Sequence, residues 1–245
     1  EYNDGSGFVA LGNGPHPSLS GSNISGAFSN TLNITGVGTA DAGTYQCVID
    51  GVCEDQNSTP AGLTVATNTA IITNTTDAVL CEGDEAIFSV DATGTGLTYE
   101  WYKASQAAPL ANGADISGAT SNTLTLANLT VTDADVYSCV VSGFCTDETS
   151  LGANLDISEH VTINNQPTNK SACPGGTTSF TVNASGDITS YRWYKDGVDI
   201  STLPADPNIL NDNTPTLTIN NLAAAYAGDY RCEIVGDCET VNTNT

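Results

Sequence analysis

Cysteine, histidine and paired carboxylates are the side chains from which chemical sites are most often built. This 245-residue sequence holds eight cysteines and two histidines. No two cysteines form a Cys-x-x-Cys pair and no histidine cluster accompanies them. That pattern argues against zinc and for disulfides made in an oxidising, extracytoplasmic compartment. His16 and His160 both stand beside loops or linkers. With no second histidine nearby, each is expected to be a solvated loop residue rather than a catalytic base or metal ligand. The pair Asp133 and Asp135 could hold Ca²⁺, although turn chemistry explains it more simply, and no other cofactor is expected. Gly94-Thr95-Gly96 lacks the strand-to-helix context of a phosphate loop and reads as a turn. An isopeptide cross-link would need a buried lysine, whereas Lys103 and Lys195 are expected at exposed strand positions. Nothing here assembles a nucleophile with a base, so the chain is not expected to be an enzyme.

The elements that would carry these residues announce themselves by repetition. Asp133-Ala134-Asp135-Val136-Tyr137-Ser138-Cys139 recurs as Asp41-Ala42-Gly43-Thr44-Tyr45-Gln46-Cys47 and as Tyr226-Ala227-Gly228-Asp229-Tyr230-Arg231-Cys232, at spacings of 92 and 93 residues. A fixed period of this size marks an array of one repeated unit. Aspartate, a small residue, tyrosine and cysteine in that order match the corner leading into strand F of an immunoglobulin-like sandwich. There the tyrosine hydroxyl bonds back to the backbone and the cysteine points into the core. Trp101 and Trp193 take the place of the strand C tryptophan, and with Tyr45, Tyr137 and Tyr230 they are the expected structural core. The expected fold is all-β: tandem immunoglobulin-like β-sandwiches arranged as an extended rod.

Three units are expected, at 1–66, 70–157 and 159–245. The first lacks strands A and B, being either truncated or completed by another chain. The second is complete, and the third ends before its strand G is finished. The linkers Ala66-Thr67-Asn68-Thr69 and Ser158-Glu159-His160 are short, which favours a stiff array over tethered beads. Five Lys or Arg against 28 Asp or Glu give a formal net charge of −23. Such a surface repels nucleic acid and anionic membranes. No apolar run approaches the roughly 20 residues that span a bilayer.

The phrases Cys81-Glu82-Gly83-Asp84, Trp101-Tyr102-Lys103 and Tyr137-Ser138-Cys139-Val140-Val141-Ser142-Gly143-Phe144-Cys145 resemble the tandem immunoglobulin-like repeats of very large Bacteroidota cell-surface and adhesin proteins. The resemblance implies a secreted or surface-anchored stalk or fibre, and it carries over no ligand site. One departure from vertebrate-type domains stands out. Val90 and Val182 lie 11 residues before the tryptophans, where a strand B cysteine would be expected. The bridge between strands B and F is therefore absent.

The cysteines then need other partners. A three-residue loop Val141-Ser142-Gly143 would set Cys139 opposite Cys145, close enough to bridge. The same count pairs Cys47 with Cys53 and Cys232 with Cys238, leaving Cys81 and Cys173 unpaired; this is the preferred pairing. The rival is a staple between domains that joins Cys81 to Cys238. Function is expected to be structural: a repeat segment of an extracellular bacterial surface fibre or adhesin stalk, with neighbouring repeats of the same or an identical chain as partners. The alternatives are an adhesive module that binds glycan or protein through its loops, and accessory domains of a secreted enzyme.

Overall fold

Strands rich in Val, Ile, Thr and Tyr, separated by Gly, Asn and Asp turns, favour short pleated segments over helices. The computed structural model describes residues 1–18 and 21–244, and it shows that outcome. Its helical content among these residues is limited to short 3-10 turns such as Val131–Asp133 and Ala224–Tyr226. No helix among the described residues is long and apolar enough to cross a membrane. The expected end of the third domain, Thr245, lies outside the described residues.

Packing divides the chain into two compact units. The first comprises residues 1–73, 91–98 and 140–149. Residues 70–73, 91–98 and 140–149 were expected in the second domain, and the reason for their grouping is local. Thr69 donates from its N–H to Thr146 Oγ1 (3.0 Å) and from its hydroxyl to Thr146 O (2.6 Å). The Thr67 N–H reaches Thr95 Oγ1 at 2.9 Å. The expected linker is thus zipped onto two loops. This unit also holds the antiparallel sheets Tyr2–Asn3/Gly43–Tyr45/Ala61–Leu63 and Gly14–Pro15/Asn23–Ser25/Asn33–Thr35. Tyr2, Leu11 and Ile24 form its small apolar core.

The second unit comprises residues 74–90, 99–139 and 150–245. In it Ala86–Ser89 pairs with Thr123–Leu126, which pairs with Ile116–Ser117. Ala78–Cys81 runs parallel to Ala153–Ser158. Further along, Thr178–Thr181/Thr216–Ile219/Ile209–Leu210 forms one sheet, and Val198–Asp199/Ile188–Lys195/Tyr230–Gly236/Thr240–Asn242 the other.

The two repeated cores are near copies. Trp101 and Trp193 are fully buried. Phe88 stacks on Tyr137 at 5.2 Å and tilts against Trp101 at 6.5 Å, while Phe180 does the same to Tyr230 at 4.8 Å and Trp193 at 6.4 Å. A buried indole N–H must find an acceptor. Trp101 Nε1 donates to Ser121 O at 2.8 Å and Trp193 Nε1 to Thr214 O at 2.9 Å. Those carbonyls are held by a tight turn whose first residue is left-handed, Gly118 (φ 73°) in one repeat and Asn211 (φ 63°) in the other. In both, the turn closes with an N–H···O bond, Ser121 to Gly118 and Thr214 to Asn211. In the second repeat the Ser117-Gly118-Ala119 wording belongs to the indole's acceptor turn, and in the third Asn211-Asp212-Asn213-Thr214 takes that place.

The tyrosine corner is present in each copy. Tyr45 and Tyr137 hydroxyls donate to Asp41 O and Asp133 O at 2.7 Å, and Tyr230 donates to Tyr226 O at 2.8 Å. Because the acceptor is a backbone carbonyl, Tyr226 can replace aspartate without breaking the corner. What changes is the cap. Asp41 and Asp133 carboxylates accept the N–H of Gly38 (2.8 Å) and Thr130 (3.0 Å). The Tyr226 phenol instead turns to Asp206 Oδ2 at 2.6 Å.

Lys103 corrects its expectation. It is buried at 9% exposure, with Nζ donating to Thr132 O at 2.6 Å. Trp101 points inward and a strand alternates faces, so the residue two positions on points inward as well.

Candidate functional site at the junction of the second and third repeats

The predicted hairpin bridges do not form, and the register explains why. Val140, Val141 and Ser142 pair with Thr149, Glu148 and Asp147. The loop is therefore Gly143 to Thr146, closed by Gly143 N–H to Thr146 O at 3.1 Å, with Cys145 inside it. Cys139 faces a serine instead, donating its N–H to Ser150 Oγ at 2.9 Å and accepting from Ser150 N–H at 2.9 Å. The third repeat has the same arrangement. Glu233, Ile234 and Val235 pair with Asn242, Val241 and Thr240, and Cys232 N–H donates to Thr243 Oγ1 at 2.8 Å. In the first repeat Cys47 N–H donates to Ser58 Oγ at 2.9 Å, and Cys53 again sits in the loop. A hydroxyl residue 11 positions after each strand F cysteine was the legible signal for this register, and the hairpin expectation overlooked it.

The bridge that does form is the rival one. Cys81 and Cys238 are joined with Cα atoms 5.8 Å apart, across a sequence separation of 157. Cys81 ends the strand Ala78–Cys81, in the turn opening the second sandwich, and Cys238 sits in the last loop of the third. Cys139 and Cys232 are fully buried, and burial pushes each thiol up to about 11. Cys232 shares its core with Val182, the residue in the strand B position. Cys47, Cys53, Cys145 and Cys173 are exposed thiols.

Around the bridge lies a small polar clasp. Glu159 N–H donates to Asp187 Oδ2 at 2.8 Å, repeating at the second linker the zip made by Thr67 on Thr95. His160 stands with Nδ1 3.1 Å from Glu239 Oε1 and Nε2 3.1 Å from Glu82 O. The Glu82 carbonyl and the Glu239 carboxylate together raise its pKa above the ordinary histidine value. His160 is thus half exposed but engaged through both ring nitrogens, not a solvated bystander.

His16 departs further from its expectation, being buried at 2% exposure. Nε2 lies 3.1 Å from the Tyr45 hydroxyl, whose proton is directed at Asp41 O. Nδ1 lies 2.8 Å from Ser18 Oγ, and the Ser18 and Ser22 hydroxyls both donate to Asp41 Oδ1, at 2.6 and 2.8 Å. Serine, histidine and aspartate thus meet, but the serine donates directly to the carboxylate rather than through the ring. That geometry ties a corner together and does not activate a nucleophile.

Of the carboxylates considered for calcium, Asp133 accepts Thr130 N–H and hydroxyl, while Asp135 accepts Ser105 N–H at 3.1 Å. The Ser105 hydrogen bond holds Asp135 below the ordinary carboxylate value. Among the described residues no group of three or more His, Cys, Asp or Glu side chains is placed to hold a metal ion.

Comparison with known proteins fits this architecture. Residues 69–157 match the family described as Immunoglobulin I-set domain, and residues 161–235 the one described as Immunoglobulin domain. The chain is 26% identical over 184 residues to the muscle M-line assembly protein unc-89 of Caenorhabditis elegans, covering 72% of this chain and 2% of that protein. It is 29% identical over 112 residues to neuroglian of Drosophila melanogaster, covering 44% of this chain and 8% of that protein. Both relatives are animal proteins, so neither supports the bacterial origin that the sequence wording implied. Among solved structures, an I-band fragment from titin superposes with a TM-score of 0.69 at 17% identity, covering 96% of this chain and 82% of that one. Sidekick-1 immunoglobulin domains 1–4 superpose with a TM-score of 0.61 at 21% identity, covering 90% and 61%. The repeated tryptophan cores, the tyrosine corners and these matches together make this chain an all-β tandem of immunoglobulin-like domains.

Proposed function

We propose that the chain is a non-catalytic structural segment of an extracellular fibre or stalk, in which successive immunoglobulin-like repeats are fastened to one another. The observation that carries this reading is the Cys81–Cys238 disulfide, which spends a covalent bond on joining two repeats rather than on closing either one. A bond of that kind persists in an oxidising compartment, which supports an extracellular setting. The sequence wording supports a bacterial cell surface, while the animal relatives support only the structural and adhesive character. No cofactor is invoked. The test is gold-labelled antibody against this segment on intact producing cells, viewed by electron microscopy. Label spaced along filaments is expected. Label found only after permeabilisation, or only in the medium, overturns the reading.

A second reading is an adhesive module for a protein partner. It is favoured by exposed apolar residues in the loops after strand F, Phe144 at 82% exposure and Val52 fully exposed. Label confined to filament tips would favour it.

A further inference from the structure

The backbone frame of the turn that carries Cys81 is built a second time around Cys173. Gly83 and Gly175 are both left-handed, at φ 80° and 78°. Gly83 N–H donates to Leu129 O at 2.7 Å, and Gly175 N–H to Leu222 O at 2.8 Å. Asp84 N–H closes on Cys81 O at 3.1 Å, and Gly176 N–H on Cys173 O at 3.1 Å. The return bonds, Leu129 to Asp84 and Leu222 to Gly176, are 3.1 and 3.0 Å. One of these twin turns holds a disulfide to the loop of another repeat, and the other presents an exposed thiol.

The complementary half is duplicated too. Cys238 lies in a loop closed by Gly236 N–H to Glu239 O at 2.8 Å, and Cys145 in one closed by Gly143 N–H to Thr146 O at 3.1 Å. Cys53 occupies the same sequence position 92 residues before Cys145. Both are exposed.

The flanking residues differ in an informative way. At the joined pair Glu82 follows Cys81, and Asp237 and Glu239 bracket Cys238, with His160 against the Glu239 carboxylate and the Glu82 backbone carbonyl. At Cys173 and Cys145 the acids next to the thiol are replaced, while Glu54 still follows Cys53. Pro174 follows Cys173, Phe144 precedes Cys145 and Val52 precedes Cys53. Ala172 and Pro174, on either side of Cys173, line a cavity of about 490 Å³ whose other walls include Phe180, Leu222 and Tyr226. Each loop thiol thus has one large apolar neighbour, Phe144 or Val52, and Cys173 lies beside a partly apolar recess, on a molecule whose net charge of −23 otherwise opposes self-association.

We propose that Cys173 is a docking thiol, and that it forms with Cys53 or Cys145 of a second copy of this chain the bond that Cys81 forms with Cys238. This rests on the structural reading above and adds its means of covalent assembly. The oxidant is a low-molecular-weight disulfide such as oxidised glutathione. The Cys173 thiolate attacks one of its sulfurs and releases one glutathione. The thiolate of the incoming loop cysteine then attacks the Cys173 sulfur and releases the second. Two protein thiols are oxidised and one small disulfide is reduced to two thiols, which take up the two protons.

The test uses the purified chain with its Cys81–Cys238 bridge verified by peptide mapping. The chain is incubated with oxidised glutathione, then analysed by non-reducing electrophoresis and mass spectrometry. A ladder of multimers is expected, collapsed by reductant and yielding Cys173–Cys53 or Cys173–Cys145 peptides. Cys173→Ser should abolish the ladder while leaving the Cys81–Cys238 peptide and the circular dichroism spectrum unchanged. Three results overturn the proposal: monomer with glutathione-capped Cys173, predominant Cys173–Cys173 dimers, or a ladder that survives Cys173→Ser. Absence of the Cys81–Cys238 peptide itself would remove the structural reading along with it. Its presence without a ladder removes only this proposal.

Discussion

At the scale of single residues, the energetics concentrate in the buried aromatics and the bonds that satisfy their polar atoms. Trp193→Ala leaves a large void in a core that includes Val182, Leu217, Tyr230 and Ile234. It should destabilise the third repeat by about 3–5 kcal/mol in urea unfolding. Tyr137→Phe removes only the 2.7 Å bond to Asp133 O and keeps the ring on Phe88. The loss should be about 0.5–1.5 kcal/mol by the same measurement. His160 supplies a pH test. Its folded pKa is raised above 6.5, so its contribution to stability is complete below that value and is lost as pH rises through the folded pKa. An NMR titration should place the His160 pKa above 6.5, and Glu239→Gln should lower it. These residues differ in how openly the sequence displayed them. The corner tyrosines were legible because motif and acceptor lie four residues apart. His16 was not, since its partners Asp41 and Tyr45 arrive from 25 and 29 residues away, through folding alone.

At the scale of elements, the decisive features are turns and the linkers fastened to them. Gly236 shows how closely a linker is held: an added Cβ would lie 2.4 Å from Val161 Cγ2 and 2.9 Å from Asp187 O. Gly236→Ala should cost about 1–3 kcal/mol, through overpacking. Gly62→Ala, whose Cβ would meet nothing within 4 Å, should stay within about 0.5 kcal/mol; thermal melts of both variants check the contrast. Strand order and the tryptophan positions were readable from the repeat, because each copy restates the same alternation. The cysteine register was signalled only by the hydroxyl residue 11 positions on, because it depends on where the loop falls, at 143–146 rather than 141–143. A three-residue loop sets Cys139 against Cys145, while the loop that forms sets it against Ser150. Lys103 was misplaced despite an available signal, the inward parity it shares with Trp101.

At the scale of the molecule, repetition turns one local solution into a rule for joining units. The zip of Thr67 on Thr95 reappears as Glu159 on Asp187, although only the spacing, not the residue types, is kept. Sequence periodicity could announce the units but not their fastening, which requires two loops from different repeats to meet. Removing the fastening by Cys238→Ser should lower the stability of the second unit by about 2–5 kcal/mol. The reading is its melting temperature compared with and without reductant, and the variant should no longer respond to reductant.

The bridge also decides which part of the chain can bear a pull. Tension applied between the two ends crosses from Cys81 to Cys238 through one covalent link, so the 157-residue span between them carries none of it. Stretched while oxidised, the molecule withholds on the order of 500 Å of extended backbone, which a reductant would release as slack. The redox state of a single bond therefore sets how far the molecule yields before it goes taut.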